Sequence, residues 1–494
     1  MKKIWIFERL SFIICLLTLA ISPNTELRAQ SGGGLFVPGP VMDRTRIEPF
    51  LTTLNDGRVV TFGGREYNFI SCSYADIYDP VSNSFTEVAM NYPHDNAYVL
   101  KLADGRYFII GGAHDLGVAP GYATTEMFYP ATNTFVPSGS MNYARMWADA
   151  AQLTNGKVLI AGGWYNTSGS TYGEVYDTGA HTFVQTNAMI QPRANAVILP
   201  SDDGGAVVFG GTPSYGGNDY TSVEYYNPTD NSFHAVSSEI LPADPGWLVS
   251  GTPFHRRPRS DSRMSNGKYL FGGYNAVTHL YGLLTFDPAT KVFDKITLSA
   301  PLMDDFTNGG FCDFVLDKTN DLAYLLGIDS GYDPTRISLV AVNLTTGFVY
   351  HSNSTFTMGT SEYLMSTMAF MHPSGKILLE GISSASGDYF HATNKTYLIT
   401  PEPPLGVNEI QATANGILCY PNPANDMLKI RLASGFRGDV RIDVYDMIGR
   451  VLISQNYQGN QSELAIMVGD LPRGLFVCQV SNNGNTSRIK FLKN

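Results

Sequence analysis

One short cassette recurs seven times along this chain, and it limits the possible folds more than any other feature. A tight-turn pair appears at Asp56-Gly57, Asp104-Gly105, Asn155-Gly156, Asp203-Gly204, Asn266-Gly267, Asn320-Asp321 and Ser374-Gly375. Asn or Asp with Gly suits a tight hairpin, where positive φ is needed. Five or six residues on come Gly63-Gly64, Gly111-Gly112, Gly162-Gly163, Gly210-Gly211 and Gly272-Gly273, then single Gly327 and Gly381. Short apolar strands such as Tyr107-Phe108-Ile109-Ile110 and Val158-Leu159-Ile160-Ala161 lie between turn and glycines. A diglycine there lets the backbone turn sharply and approach its neighbours closely.

Each unit continues with an aromatic strand ending near Asp or Asn, as in Ile77-Tyr78-Asp79-Pro80, Phe128-Tyr129-Pro130, Tyr226-Asn227-Pro228 and Phe286-Asp287-Pro288. A fourth strand then carries Phe85, Phe135, Phe183, Phe233, Phe293 or Phe348. A period of about 50 residues with four short strands gives a unit that cannot bury both its faces, so copies must stack. The expected fold is all-β, a seven-bladed β-propeller. Composition agrees. Only 16% of residues are charged and 12% are aromatic, which disfavours helical bundles and disorder alike. Seven turns but six downstream Phe strands leave one blade short. Leu35-Phe36-Val37-Pro38, with Met42 and Arg46, aligns with Thr134-Phe135-Val136-Pro137, with Met141 and Arg145. The N-terminal strand is therefore expected to complete the last blade and remove its open edge.

The diglycine after a strand and the later aromatic resemble the kelch repeat over roughly residues 35–400. Blades six and seven depart from that pattern in keeping one glycine each. Beyond Thr400 a linker, 401–414, opens with Pro401-Glu402-Pro403-Pro404. Residues 415–494 then carry Tyr420-Pro421-Asn422-Pro423, a Val444–Leu452 strand containing Gly449, Leu471-Pro472-Arg473-Gly474, and a basic last strand. Alternating strands with turn glycines suggest a small β-sandwich. This tail resembles the C-terminal sorting domain of the type IX secretion system. The resemblance implies export across the outer membrane of a Bacteroidetes-type cell by that machinery. It also implies loss of the tail there, with release or attachment to surface lipopolysaccharide.

The first residues fit export. Lys2 and Lys3 precede an apolar run, 10–21, and Ala29 offers a cleavage point, so 1–29 reads as a signal peptide and 30–400 as the propeller. No second segment is long and apolar enough to span a membrane. Four further cysteines, Cys72, Cys312, Cys419 and Cys478, are too sparse for a disulfide scaffold. Export would permit a bridge, for which Cys419 and Cys478 are the nearest candidate pair, but both sit in apolar strand surroundings and read rather as two buried thiols. The net charge is −11, and residues 30–414, with 20 basic and 36 acidic residues, carry −16. That argues against nucleic acid or an anionic membrane as partner. A monomer is expected.

The loops between second and third strands are rich in groups suited to sugars. They include Tyr67, His114, Trp164, Tyr165, Tyr215, Tyr274, Tyr332 and Tyr389. Aromatic faces stack on sugar rings, although Tyr, Asn and Gly also populate loops in general. Four units place a basic residue four positions after Met: Met42/Arg46, Met90/His94, Met141/Arg145 and Met189/Arg193. These cations either converge at the channel mouth on an anion or are held by acids and loop carbonyls. The fifth unit carries roughly a dozen extra residues, with Trp247, His255, Arg256, Arg257, Arg259 and Arg263. They would form a cationic loop on an acidic ring.

Catalytic signatures such as HExxH, GxSxG or a phosphate loop do not occur, so no catalytic residue, metal or cofactor is assigned. Galactose oxidase shares a kelch propeller, but its copper and Tyr–Cys cofactor find no counterpart here. Cys72 lies near Tyr74 without a His pair at suitable spacing. The reading is thus a secreted or surface propeller binding extracellular glycan or protein without catalysis. The alternative is a carbohydrate-active enzyme (epimerase, glycosidase or oxidase) on the same loop face.

Overall fold

The computed structural model describes residues 36–401 and 418–493. Gaps fall at 47–48, 67–69, 114–120, 166–167, 215–218, 250–261, 300–301, 303–310, 329–335, 348, 358–361, 364–367, 372–374, 381–382, 387–388, 421–423, 425, 433–437, 447–449, 460–462, 473 and 483–484. The described residues form strands and no α-helix, so none is long and apolar enough to cross a membrane as a helix. The chain divides into two compact units, 1–401 and 402–494.

In the first unit the described strands make seven four-stranded antiparallel sheets. The first is a meander of Phe50–Thr53, Val59–Phe62, Tyr74–Asp79 and Ser84–Ala89. Five more follow in chain order, ending with Phe311–Asp317 through Val349–Thr357. The seventh combines Met368–Met371, Ile377–Glu380 and Tyr397–Ile399 with the N-terminal Phe36–Pro38, which pairs Phe36 with Ile399.

Successive side chains of a strand point to opposite faces, so a sheet between two others must be apolar on both. The second strands obey this: Val59–Phe62, Tyr107–Ile110, Val158–Ala161 and Ala206–Phe209 are buried at every position. Their alternate residues serve different neighbours. Val158 and Ile160 pack on the second sheet with Phe108 and Leu100, while Leu159 and Ala161 pack on the fourth with Ile198 and Val208. Seven apolar clusters join the sheets in order, and the last, Leu51, Val59 and Tyr78 with Leu378 and Leu398, joins the seventh to the first. The sheets therefore close into a ring, the β-propeller arrangement, and are called blades below.

The second unit is a sandwich. Leu418–Tyr420, Met427–Arg431 and Glu463–Met467 form one sheet, and Val440–Tyr445, Val451–Tyr457, Gly474–Asn482 and Asn485–Lys493 the other. Leu428, Ile430, Leu464 and Ile466 alternate with more exposed neighbours and meet Ile442, Val444, Phe476 and Phe491 in its core.

Candidate functional site

The diglycines set the geometry at one end of the ring. Gly63, Gly111, Gly162 and Gly210 all have φ between +54° and +66°, in the left-handed region that glycine tolerates. A Cβ on Gly63 would sit 2.0 Å from the His94 carbonyl oxygen, and one on Gly210 1.9 Å from that of Val249. Glycine is needed because the next blade's backbone passes there. The second glycine then donates its N–H to that carbonyl: Gly64 to His94 (3.1 Å), Gly112 to Arg145 (3.1 Å) and Gly163 to Arg193 (2.9 Å).

The turned backbone also offers the first glycine's carbonyl to a basic side chain of its own blade. Arg46 donates to Gly63 O (3.1 Å), Arg145 to Gly162 O (2.8 Å) and Arg193 to Gly210 O (2.6 Å), while His94 Nδ1 lies 2.6 Å from Gly111 O. Each base also meets an acid on the third strand. Arg46 pairs with Asp76, His94 Nε2 with Glu126 (3.1 Å), Arg145 with Glu174 (2.7 Å) and Arg193 with Glu224 (3.1 Å). The glutamates further accept backbone N–H groups from the chain leading to the base, such as Asn142 (2.7 Å) and Tyr143 (3.2 Å) on Glu174. Burial works against the Glu126 charge, but bonds from His94 and Asn91 hold its carboxyl below the ordinary value. All four bases are buried, at 0 to 2% exposure. Of the two readings open for Arg46, His94, Arg145 and Arg193, the geometry supports the architectural one. Sequence reasoning did not single out their partners Asp76, Glu126, Glu174 and Glu224. Superposing the copies would have found an acid two residues before the aromatic each time, as in Glu126-Met127-Phe128 and Glu174-Val175-Tyr176.

Two residues after the base, just before the innermost strand, the backbone turns left-handed again. Asn96 (+54°), Trp147 (+53°) and Asn195 (+54°) occupy this place in the second, third and fourth blades. Asn adopts this conformation readily, whereas a bulky Trp there is strained by about 1–3 kcal/mol. Backbone bonds hold it: Trp147 N–H donates to Asn96 O (3.2 Å), and Asn195 N–H to Trp147 O (3.1 Å). The half-buried Trp147 ring meets the sequence-predicted Trp164 edge to face, centroids 5.8 Å apart at 74°. Trp164 lies one residue past Gly162-Gly163 and begins a two-stranded extension, Trp164–Tyr165 with Ser168–Gly169. The same blade end carries Tyr143 and Tyr172, stacked at 4.6 Å and nearly parallel. Of the chain's four tryptophans, two meet here, so third-blade aromatics are concentrated. Trp147 is invisible when the sequence is read along one repeat and stands out only against Asn96 and Asn195.

The other expected residues scatter. Trp247 is buried in the fifth blade, its indole N–H bonded to Asp244 (3.0 Å) and its ring against Gly273 and Gly282. Tyr274 bonds His279 (2.8 Å) within its own hairpin. His114, Tyr215, His255, Arg256, Arg259 and Tyr332 lie outside the described residues, as do the side chains of Tyr165 and Tyr389. In the tail, Pro421, Asn422, Pro423 and Gly449 also lie outside, Tyr420 ends a described strand, and Gly474 begins one with φ +154°.

A cavity of about 550 Å³ opens at the opposite, hairpin-turn end of the ring. Innermost-strand residues Tyr98, Ala150 and Ile198 line it with turn residues Asn55, Thr154 and Asp202, and Arg263 edges it. Between the seventh and first blades, Thr61 donates its hydroxyl to the fully buried Glu380 (2.6 Å). Burial pushes that carboxyl up to about 7. Among the described residues no group of three or more His, Cys, Asp or Glu side chains could hold a metal ion.

Residues 418–494 match the secretion system C-terminal sorting domain family. Two galactose oxidase sequences from Gibberella zeae are each 29% identical over 215 residues, covering 38% of this chain. The match spans only 28% of those relatives' own length. Among solved structures, one described as a novel fungal alcohol oxidase with catalytic diversity among the AA5 family, in complex with copper, superposes with a TM-score of 0.51. It is 14% identical, over 94% of this chain and 99% of that one, a likeness of fold. The chain thus joins a galactose oxidase-like, kelch-type β-fold to a type IX sorting domain, which marks it for the secretion machinery and for release or display at the cell surface.

Proposed function

We propose that the ring is a non-catalytic glycan-binding module that uses the diglycine end of its third blade. The observation that carries this reading is Trp147. A strained backbone persists only when its surroundings over-determine it, and such strain gathers at functional sites. Here it sets an indole beside Trp164 where neighbouring blades have Asn. Indole faces stack on the apolar faces of sugar rings, and polar loop groups supply directional hydrogen bonds. The buried bases beneath act as the rigid support, because their donors are directed to carbonyls and acids inside the blade.

The second reading is an oxidase, favoured by the likeness to galactose oxidase and to the copper-bound alcohol oxidase. The described residues do not fit a copper centre. Cys72 Sγ lies 3.4 Å from the Tyr74 hydroxyl, which bonds Glu66 (2.9 Å), but among the described residues no histidine side chain forms a metal-holding group with them. A glycan array probed with the full chain, with a parallel assay for peroxide release from primary alcohols and galactosides, separates the two. Binding without peroxide is expected. Copper-dependent peroxide release, or an intact chain that binds no glycan, would contradict the proposal.

A further inference from the structure

We propose that Cys419 and Cys478 become joined by a disulfide bond across the two sheets of the sorting domain as the exported chain folds. Cys419 lies on Leu418–Tyr420, opposite Ile430 in the three-stranded sheet. Cys478 lies on Gly474–Asn482, between Val444 and Ile489 in the four-stranded sheet. Strand alternation turns both inward, and both are buried in one apolar core, at 3% and 0% exposure. There Cys478 lies close enough to the Cys419 thiol to be the foremost influence on its ionisation. Either alone would read as a small buried hydrophobe. Two neighbours from opposite sheets can be joined across the core, as the inter-sheet bridge of antibody domains joins theirs. The sorting domain takes the chain into compartments where disulfides form and persist.

The fold also sets the timing. Contact with Cys478 and burial both lift the Cys419 thiol far above its ordinary range, so little thiolate forms once the sandwich has closed. Oxidation therefore belongs to the open chain. The Cys419 thiol gives its proton to solvent, and its thiolate attacks a disulfide of a periplasmic exchange protein. That protein's S–S bond breaks and a mixed disulfide forms. The Cys478 thiolate, having lost its own proton, then displaces the carrier. The Cys419–Cys478 bond forms, and the carrier leaves as a dithiol with two electrons gained. Folding next buries the new bond, where an attacking thiolate cannot reach it.

Full-length chain recovered from secreting cells, denatured without reductant, alkylated and digested, tests this by peptide mass. The expected result is one cross-linked pair containing Cys419 and Cys478, two hydrogens lighter than the separate peptides and released by reductant. Separate, alkylated Cys419 and Cys478 peptides in the unreduced sample would overturn it. In a Cys478→Ala chain, Cys419 should become open to alkylation after denaturation. A Cys419 that still resists has another partner, which would also overturn it.

Discussion

The fourth and fifth blades both carry a diglycine, and they use it in opposite ways. In the fourth, the interval from turn glycine Gly204 to Gly210 is six, and the chain leaves the sheet there at φ +62°. In the fifth, the interval from Gly267 to Gly272 is five. The register shows the consequence: Ala206 faces Tyr226 and Tyr269 faces Phe286, so Gly273 occupies the place of Gly210 and Tyr274 that of Gly211. A bulky residue replaces the second glycine, and the hairpin runs straight on to Asn275. Gly273 and Gly282 then lie opposite each other and leave room for the Trp247 ring. The base and acid are gone as well. Val249 supplies the carbonyl to Gly211, and Leu284 stands where Glu224 does. A one-residue shift in strand register changes which groups meet, and with them the purpose of identical letters.

That contrast can be broken by substitution. Gly210→Ala forces a Cβ into the Val249 carbonyl at a positive φ and should cost about 4 kcal/mol or more, or prevent folding. Gly273→Ala first meets the Leu284 and Trp247 side chains, at 2.8 and 3.1 Å, rather than backbone, and should cost about 1–3 kcal/mol. Denaturant unfolding of both full chains checks the order; equal losses would remove the distinction. Glu174→Ala leaves Arg145 buried and unpaired, and a loss of about 3–4 kcal/mol is expected.

The seam between the seventh and first blades should respond to pH. Glu380 is raised in the folded ring from 4.5 to about 7, so the fold holds its proton more tightly than the unfolded chain does. Its contribution is fully present below 4.5 and is lost as pH rises through about 7. Glu380→Gln keeps an acceptor for Thr61 without the charge. It should stabilise the ring by about 2–3 kcal/mol at about pH 8 and flatten the fall across the acid side. Thermal unfolding from about pH 5 to about pH 8 reads this. An unchanged slope would mean that Glu380 is not the titrating group.

Much of the ring is legible in the amino-acid sequence. Turn pairs, apolar second strands and Phe-bearing fourth strands lie within one repeat, and local turn chemistry with period-two burial suffices to read them. The site is less accessible, because its parts come from different copies. Asp76, Glu126, Glu174 and Glu224 sit in aromatic strands where a single acid looks like a solvent-facing residue. Glu380 ends an apolar run, Ile377-Leu378-Leu379, and its raised carboxyl comes from burial at a seam where Thr61 and Asp76 belong to another blade. Trp164 can be named from its loop, but nothing local distinguishes Trp147 as the one aromatic in an Asn position.

The most direct test of the glycan reading exploits that position. Trp147→Asn restores the residue that Asn96 and Asn195 already place at the same left-handed φ, so it removes the indole and relieves the backbone together. Binding of the full chain to its array-selected glycan, measured by calorimetry beside the melting temperature, should fall at least roughly tenfold, a loss of about 1.4 kcal/mol. Stability should hold or rise by about 1 kcal/mol. Unchanged glycan affinity in Trp147→Asn would contradict the account.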